Sequence, residues 1–201
     1  IPEGATAIVI FSHGSGSSRF STRNNFVAQV LQKRGFATLL FDLLTEQEDQ
    51  DRENRFDITL LTSRLESVTE WITTHPETKG LDIGYFGAST GAASALNTAA
   101  IMDDTIRAVV SRGGRPDLAD KILPLIKAPT LLIIGSLDDH IIALNQQTMA
   151  EMNCPTELKI IDGATHLFSE PGKLEKVAWM AVDWFQTHMA SITLKQLRDT
   201  Y

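Results

Sequence analysis

The stretch Gly84-Tyr85-Phe86-Gly87-Ala88-Ser89-Thr90-Gly91 decides how this 201-residue chain is read. It leaves an apolar run, Leu81 to Phe86, and enters a run of small residues that opens with Ser89. A strand followed at once by a helix forces a sharp turn, and the turn residue takes a strained backbone conformation. Glycine two places before and two places after the serine removes side chains that would collide across that turn. The strain lifts the hydroxyl off the sheet edge and sets a helix N-terminus behind it, where negative charge is stabilised. Alone, this G-x-S-x-G pattern is common; the residues that follow it make it specific.

Further along, Thr130-Leu131-Leu132-Ile133-Ile134-Gly135 reads as a buried parallel strand, and Ser136-Leu137-Asp138-Asp139 puts a carboxylate at its C-terminal end. Glu157 to Ile161 alternates as an outer strand, and Asp162-Gly163-Ala164-Thr165-His166 is the loop after it. Serine, acid and histidine thus occur in the order expected of a nucleophile-elbow triad. Enough chain lies between them for one or two αβ units, so all three converge at one sheet edge. A serine hydroxyl is a poor nucleophile until a base removes its proton. Imidazole, with a pKa near ~6.5, both takes and returns a proton at neutral pH. A carboxylate on the other ring nitrogen fixes the tautomer. Asp138 and Asp139 both meet that requirement.

Two N–H donors complete such a site. Thr90, directly after the nucleophile, supplies one from its backbone. The second is expected from the loop after the first strand, His13-Gly14-Ser15-Gly16, with Ser15 the first choice; a plain flexible Gly/Ser turn is the other reading of this loop. His13 itself reads as a scaffold residue that hydrogen-bonds the loop. Arg112 and Arg115 follow the Ile106 strand at the same edge, and their guanidinium forks suit a substrate carboxylate. They suit equally well a pairing with Asp117, Asp120 or the acidic loop. Arg19 and Arg23 are secondary candidates of the same kind. The run from Glu46 to Arg55, rich in acids, reads as a solvated loop.

Strands and helices alternate through the chain. Strands are expected at Ala7 to Ser12, Thr38 to Asp42, Leu81 to Phe86, Ile106 to Ser111, Thr130 to Gly135 and Glu157 to Ile161. Helices are expected at Thr22 to Arg34, Ile58 to Thr74, Ser89 to Met102, Asp117 to Ile126, Ile141 to Met152 and Leu174 to His188. The pattern specifies a doubly wound, mostly parallel α/β sheet with helices on both faces and active groups at the strand C-termini. Residues 1–201 read as a single domain. No insertion between the Ile106 and Thr130 strands is long enough for a separate cap, which implies an open site unless the Leu43 to Asp57 loop covers it. Trp71, Trp179 and Trp184 lie at helical spacing and are expected in packing.

Composition excludes other classes. The formal net charge is −7 and no Lys/Arg cluster interleaves with aromatics, which argues against nucleic acid or an anionic membrane as partner. No apolar stretch approaches the ~20 residues of a membrane span, and no signal-peptide pattern is visible. One cysteine, Cys154, allows no intrachain disulfide and favours a reducing, cytoplasmic setting. Metal-spacing motifs and a Walker loop are missing, so the expected chemistry calls for neither metal nor organic cofactor.

Read end to end, the chain resembles the α/β-hydrolase superfamily and, within it, the dienelactone hydrolase-like proteins. The resemblance rests on His13-Gly14-Ser15-Gly16-Ser17-Ser18, Leu39-Leu40-Phe41-Asp42-Leu43-Leu44-Thr45 and Gly87-Ala88-Ser89-Thr90-Gly91-Ala92-Ala93. It continues through Ser111-Arg112-Gly113-Gly114-Arg115-Pro116-Asp117 and Gly163-Ala164-Thr165-His166-Leu167-Phe168. It implies a serine hydrolase acting on a small carboxylic ester or lactone, and the family's Gly-x-x-Asp spacing from Gly135 selects Asp138 as the acid. Some relatives of this subgroup carry a phosphoribosyltransferase domain; no paired-acid phosphoribose loop occurs here. The founding dienelactone hydrolases use cysteine where this chain has Ser89, and their leading antiparallel strands are shortened or missing before Ala7. The same triad also serves thioester hydrolysis, acyl transfer and peptide cleavage, and a hydrolase fold can act as a non-catalytic scaffold. Retention of all three groups argues against the scaffold.

Overall fold

Every residue of Ala7–Ser12 and of Thr130–Gly135 is buried, a pattern that arises when a parallel sheet is covered on both faces. The computed structural model describes residues 1–119 and 122–189. Its elements are β1 (Ala7–Ser12), α1 (Thr22–Gln32), β2 (Ala37–Leu40), α2 (Ile58–Thr74), β3 (Asp82–Ala88), α3 (Thr90–Met102), β4 (Ile106–Arg112), β5 (Thr130–Gly135), α4 (Asp139–Glu151), β6 (Thr156–Ile161) and α5 (Lys173–His188). The strands form one sheet in the order β2-β1-β3-β4-β5-β6, and every pairing in it is parallel. The chain runs outward from β1 to β2 and then returns to the other side of β1. The crevice at this switch point, between the ends of β1 and β3, is where sheets of this kind bind ligands.

Each face of the sheet carries its own apolar layer. Helices α1 and α5 bring Val27, Leu31, Val177 and Phe185 against Phe11, Phe86, Val110 and Ile133. On the opposite face, α2 and α3 bring Leu61, Leu65 and Leu96 against Ile10, Tyr85 and Val109. Burying Tyr85 demands a partner for its hydroxyl: it donates to Thr69 Oγ1 at 2.6 Å, and Thr69 donates in turn to the Leu65 carbonyl at 2.7 Å. That burial pushes the phenol above its ordinary range. No helix among the described residues is long and apolar enough to cross a membrane.

One expected helix does not form among the described residues. In place of Asp117 to Ile126 stand two short 3₁₀ turns, Pro116–Leu118 and Leu123–Leu125, each with proline in its first turn. Pro124 would fall inside a continuous helix, where it lacks the N–H and its ring meets the carbonyl one turn back. Ala119, Leu123 and Ile126 are nonetheless buried against the α2/α3 layer, so the apolar spacing there reports packing. Asp120, offered above as an arginine partner, lies outside the described residues. The tryptophans divide: Trp184 is buried, whereas Trp71 and Trp179 are half-exposed, the first against His75 and the second beneath Arg34.

The segment from Glu46 to Arg55 is more ordered than a solvated loop. Two short 3₁₀ turns, Glu48–Gln50 and Asn54–Phe56, are bound together by Arg55 on Asp49 at 2.9 Å and Asn54 Nδ2 on the Glu48 carbonyl at 2.9 Å. Arg64 of α2 anchors it through Glu48 at 2.6 Å.

Candidate active site

Ser89 has φ 51° and ψ −121°, so the nucleophile stands in the strained region that the sequence pattern requires. The flanking glycines are needed for two separate contacts. A Cβ on Gly87 would lie 2.5 Å from Ala92 Cα and 2.9 Å from the Gly91 carbonyl, so β3 meets its own helix there. A Cβ on Gly91 would overlap the carbonyls of Ser12 and His13, so α3 is pressed onto the end of β1. Ser12 Oγ donates to Ser94 Oγ at 2.8 Å, and Ser94 donates to the Gly91 carbonyl at 3.0 Å, which ties the same two elements.

The three groups meet. His166 Nδ1 donates to Asp138 Oδ2 at 2.6 Å, and His166 Nε2 lies 3.4 Å from Ser89 Oγ. The longer separation is usual for a resting site, which tightens when a reacting group arrives. Asp138 follows β5 at the N-cap position of α4, and its side chain makes no cap bond. Asp139 is the first residue of α4 itself. The N-cap position thus goes to the acid that serves the imidazole, and Asp139 stands one place inside the helix. The histidine loop is braced from beneath, where Thr165 donates its hydroxyl to Glu170 Oε1 at 2.6 Å and its N–H to Oε2 at 3.2 Å. These bonds, the side-chain one foremost, hold the Glu170 carboxyl below its ordinary value. Gly113, at the end of β4, backs the other side of the ring: a Cβ there would stand 3.3 Å from His166 Cε1.

The loop after β1 covers the serine. A Cβ on Gly14 would stand 3.1 Å from the Ala88 carbonyl and from Ser89 Cβ. His13 has both ring nitrogens engaged, Nδ1 donating to the Gly14 carbonyl at 3.0 Å and Nε2 accepting from Leu43 N–H at 3.0 Å. That fixes its neutral tautomer and its scaffold role. The Ser15 N–H, expected to face an oxyanion, donates instead to Thr90 Oγ1 at 2.8 Å. The Thr90 backbone N–H, at the first position of α3, has no intrahelical acceptor to go to. Beside this loop, Leu43, Leu44, Asp49 and Arg55 line with Thr90 a cavity of ≈ 10 Å³, room for about one water, so the Leu43–Asp57 segment packs against the loop after β1.

The two arginines at and beyond the end of β4 part company. Arg115 is held by Asp117 through bonds of 2.8 and 2.7 Å, and that partner raises its pKa. Arg112 is 5 % exposed, lies over the Phe168 ring at 5.9 Å, and has no hydrogen-bond or acidic partner among the described residues. Burial, with Arg23 nearby, lowers its pKa to about 10. Arg19 is ion-paired to Asp42. Sequence reasoning missed the brace from Glu170 and the backing by Gly113. Neither has a local pattern to betray it, since each contact depends on where another loop lands. No group of three or more His, Cys, Asp or Glu suited to a metal ion occurs among the described residues.

The dienelactone hydrolase family model matches residues 1–189. The chain belongs to the dienelactone hydrolase family. A crystal structure of a dienelactone hydrolase from Anabaena variabilis is 54 % identical, with a TM-score of 0.92 over 94 % of this chain and 89 % of that one. A Mycobacterium tuberculosis protein named as a phosphoribosyl transferase is 56 % identical over 189 residues; these cover 94 % of this chain and 43 % of that protein. The chain thus spans less than half the length of this relative. Est1E from Butyrivibrio proteoclasticus, at 16 % identity and a TM-score of 0.79, shares the fold. The architecture is that of the α/β-hydrolases, and membership of the dienelactone hydrolase family supports a hydrolase.

Proposed function

We propose that this chain is a serine hydrolase that cleaves a small carboxylic ester or lactone through an acyl-serine intermediate. The observation that carries the reading is the continuous line from Asp138 through His166 to Ser89, with contacts of 2.6 and 3.4 Å. His166 Nε2 takes the Ser89 proton as Oγ adds to the substrate carbonyl carbon, and Asp138 stabilises the imidazolium that forms. The oxyanion draws on the Thr90 N–H and on the Ser15 N–H, the latter once the Thr90 hydroxyl has turned aside. Threonine in a helix has two allowed χ1 wells for such a turn. Loss of one such donor costs on the order of 3 kcal/mol in related sites. His166 then returns the proton to the leaving alkoxide, which in a lactone stays tethered to the acyl group. Water adds to the acyl carbon with His166 again as base, releasing the acid and restoring Ser89.

A fluorophosphonate reagent should leave one mass adduct, on Ser89, and turnover should follow on short p-nitrophenyl esters or on lactones. A folded protein with Ser89 unlabelled would favour a non-catalytic scaffold. Thioesters or peptides turned over in place of oxygen esters would move the activity to the other chemistries of this triad.

A further inference from the structure

Four arginines stand near the C-terminal edge of the sheet, and they fall into two kinds. Arg19 and Arg115 are neutralised by Asp42 and Asp117. Arg112 and Arg23 are not. Arg112 is 5 % exposed and has no acid within reach among the described residues, and Arg23 Nε is buried without a hydrogen-bond partner. Arg23 stands near enough to Arg112 for its charge to act on it. Val110, Val27 and Phe168 pack in the α1/α5 layer. Arg112 follows Val110 by two strand positions and Arg23 precedes Val27 by one helical turn, so both side chains emerge above that layer. The Arg112 guanidinium lies over Phe168, two residues beyond His166, and the Arg112 carbonyl accepts the Ser89 N–H at 3.2 Å.

A buried charge without a partner costs several kcal/mol, and a second like charge beside it adds to that. Such an arrangement is retained where an anion completes it. Two guanidinium forks, one at the end of β4 and one in the first turn of α1, whose Ser21 cap takes only the Asn24 N–H, offer two full positive charges and a helix N-terminus. A single carboxylate would leave one of those charges uncompensated. A phosphoryl group brings two negative charges and several oxygens that match guanidinium forks. We propose that Arg112 and Arg23 form the seat for a phosphoryl group on the ester that Ser89 cleaves. This rests on the esterase reading for its chemistry, but the seat itself is testable without turnover.

Titration of the Ser89→Ala protein with inorganic phosphate at constant ionic strength, followed by calorimetry and thermal unfolding, measures the seat directly. Phosphate should bind and raise Tm, and acetate should bind at least tenfold more weakly. Adding Arg112→Met should weaken phosphate at least tenfold. Should that variant fail to fold, Arg23→Gln, on the partly exposed first turn of α1, should give the same weakening. In the unmutated protein, phosphate should compete with a neutral p-nitrophenyl ester, raising KM and leaving kcat unchanged. Equal affinity for acetate and phosphate, undiminished phosphate binding in Arg23→Gln, or inhibition confined to kcat would each overturn the seat. Failure of fluorophosphonate to label Ser89, with phosphate still bound, would overturn the esterase reading and leave the anion site standing.

Discussion

Four of the helices begin at serine or aspartate, both well suited to cap a helix, and they use them in opposite ways. Ser21 accepts from Asn24 N–H at 3.3 Å at the start of α1, and Asp57 accepts from Leu60 N–H at 2.9 Å at the start of α2. Ser89 and Asp138 hold the same position on α3 and α4 and make no cap bond. A cap of this kind stabilises by about 1 kcal/mol. The first pair therefore contributes to the scaffold, whereas the second forgoes that contribution and turns its side chains to His166. A serine or aspartate at a helix start that leaves the helix unsatisfied is a mark of chemistry.

The contrast can be broken at either side. Ser89→Ala should show the largest effect, a fall in kcat on the order of 10⁶-fold against a p-nitrophenyl ester, with Tm not reduced by loss of a cap. Asp138→Asn should lower kcat by about 10⁴-fold through the wrong imidazole tautomer, while Asp139→Asn stays within a few-fold of the parent. Comparable losses in the two aspartate variants would undo the assignment of the acid. Asp57→Ala should do the reverse, with about 1 kcal/mol lost in denaturant unfolding and steady-state turnover unaltered.

Glu170→Gln should have the smallest effect, a few-fold drop in turnover from a loosened histidine loop. Its pH signature is definite. Because the folded carboxyl is held below its ordinary value, the Thr165–Glu170 tie is fully present above the usual glutamate range near ~4.3 and is lost as pH falls through the depressed value. Hydrogen exchange at the Thr165 amide should report that loss in the parent protein and show no such transition in Glu170→Gln.

How far the sequence could be read follows from the range of the forces involved. Ala7–Ser12, Ile58–Thr74 and Thr130–Gly135 were legible to the residue, because an unbroken apolar run or a regular apolar stripe is a local signal. The serine turn was legible in part for the same reason: Gly87 is demanded by backbone contacts with the turn's own helix, whereas Gly91 is demanded by the distant carbonyls of Ser12 and His13. Asp117 to Ile126 misled because apolar spacing spoke for a helix while Pro124 forbade one. The pairing of Ser15 with Thr90, the bracing of Thr165 by Glu170 and the isolation of Arg112 all depend on residues distant in sequence or on the absence of a partner. No single-sequence pattern encodes those.

The seating of Gly91 against the last carbonyls of β1 has a mechanical consequence. The strand that leads into His13 and the helix that follows the nucleophile are in backbone contact, with no side chain between them to yield. Neither can tilt without the other, so the distance between serine and covering loop is set by the frame and does not adapt to the guest. The chain between Leu43 and Asp57 lies against that covering loop and is tied by Arg55 to Asp49 and by Arg64 to Glu48, so it too is held to the frame.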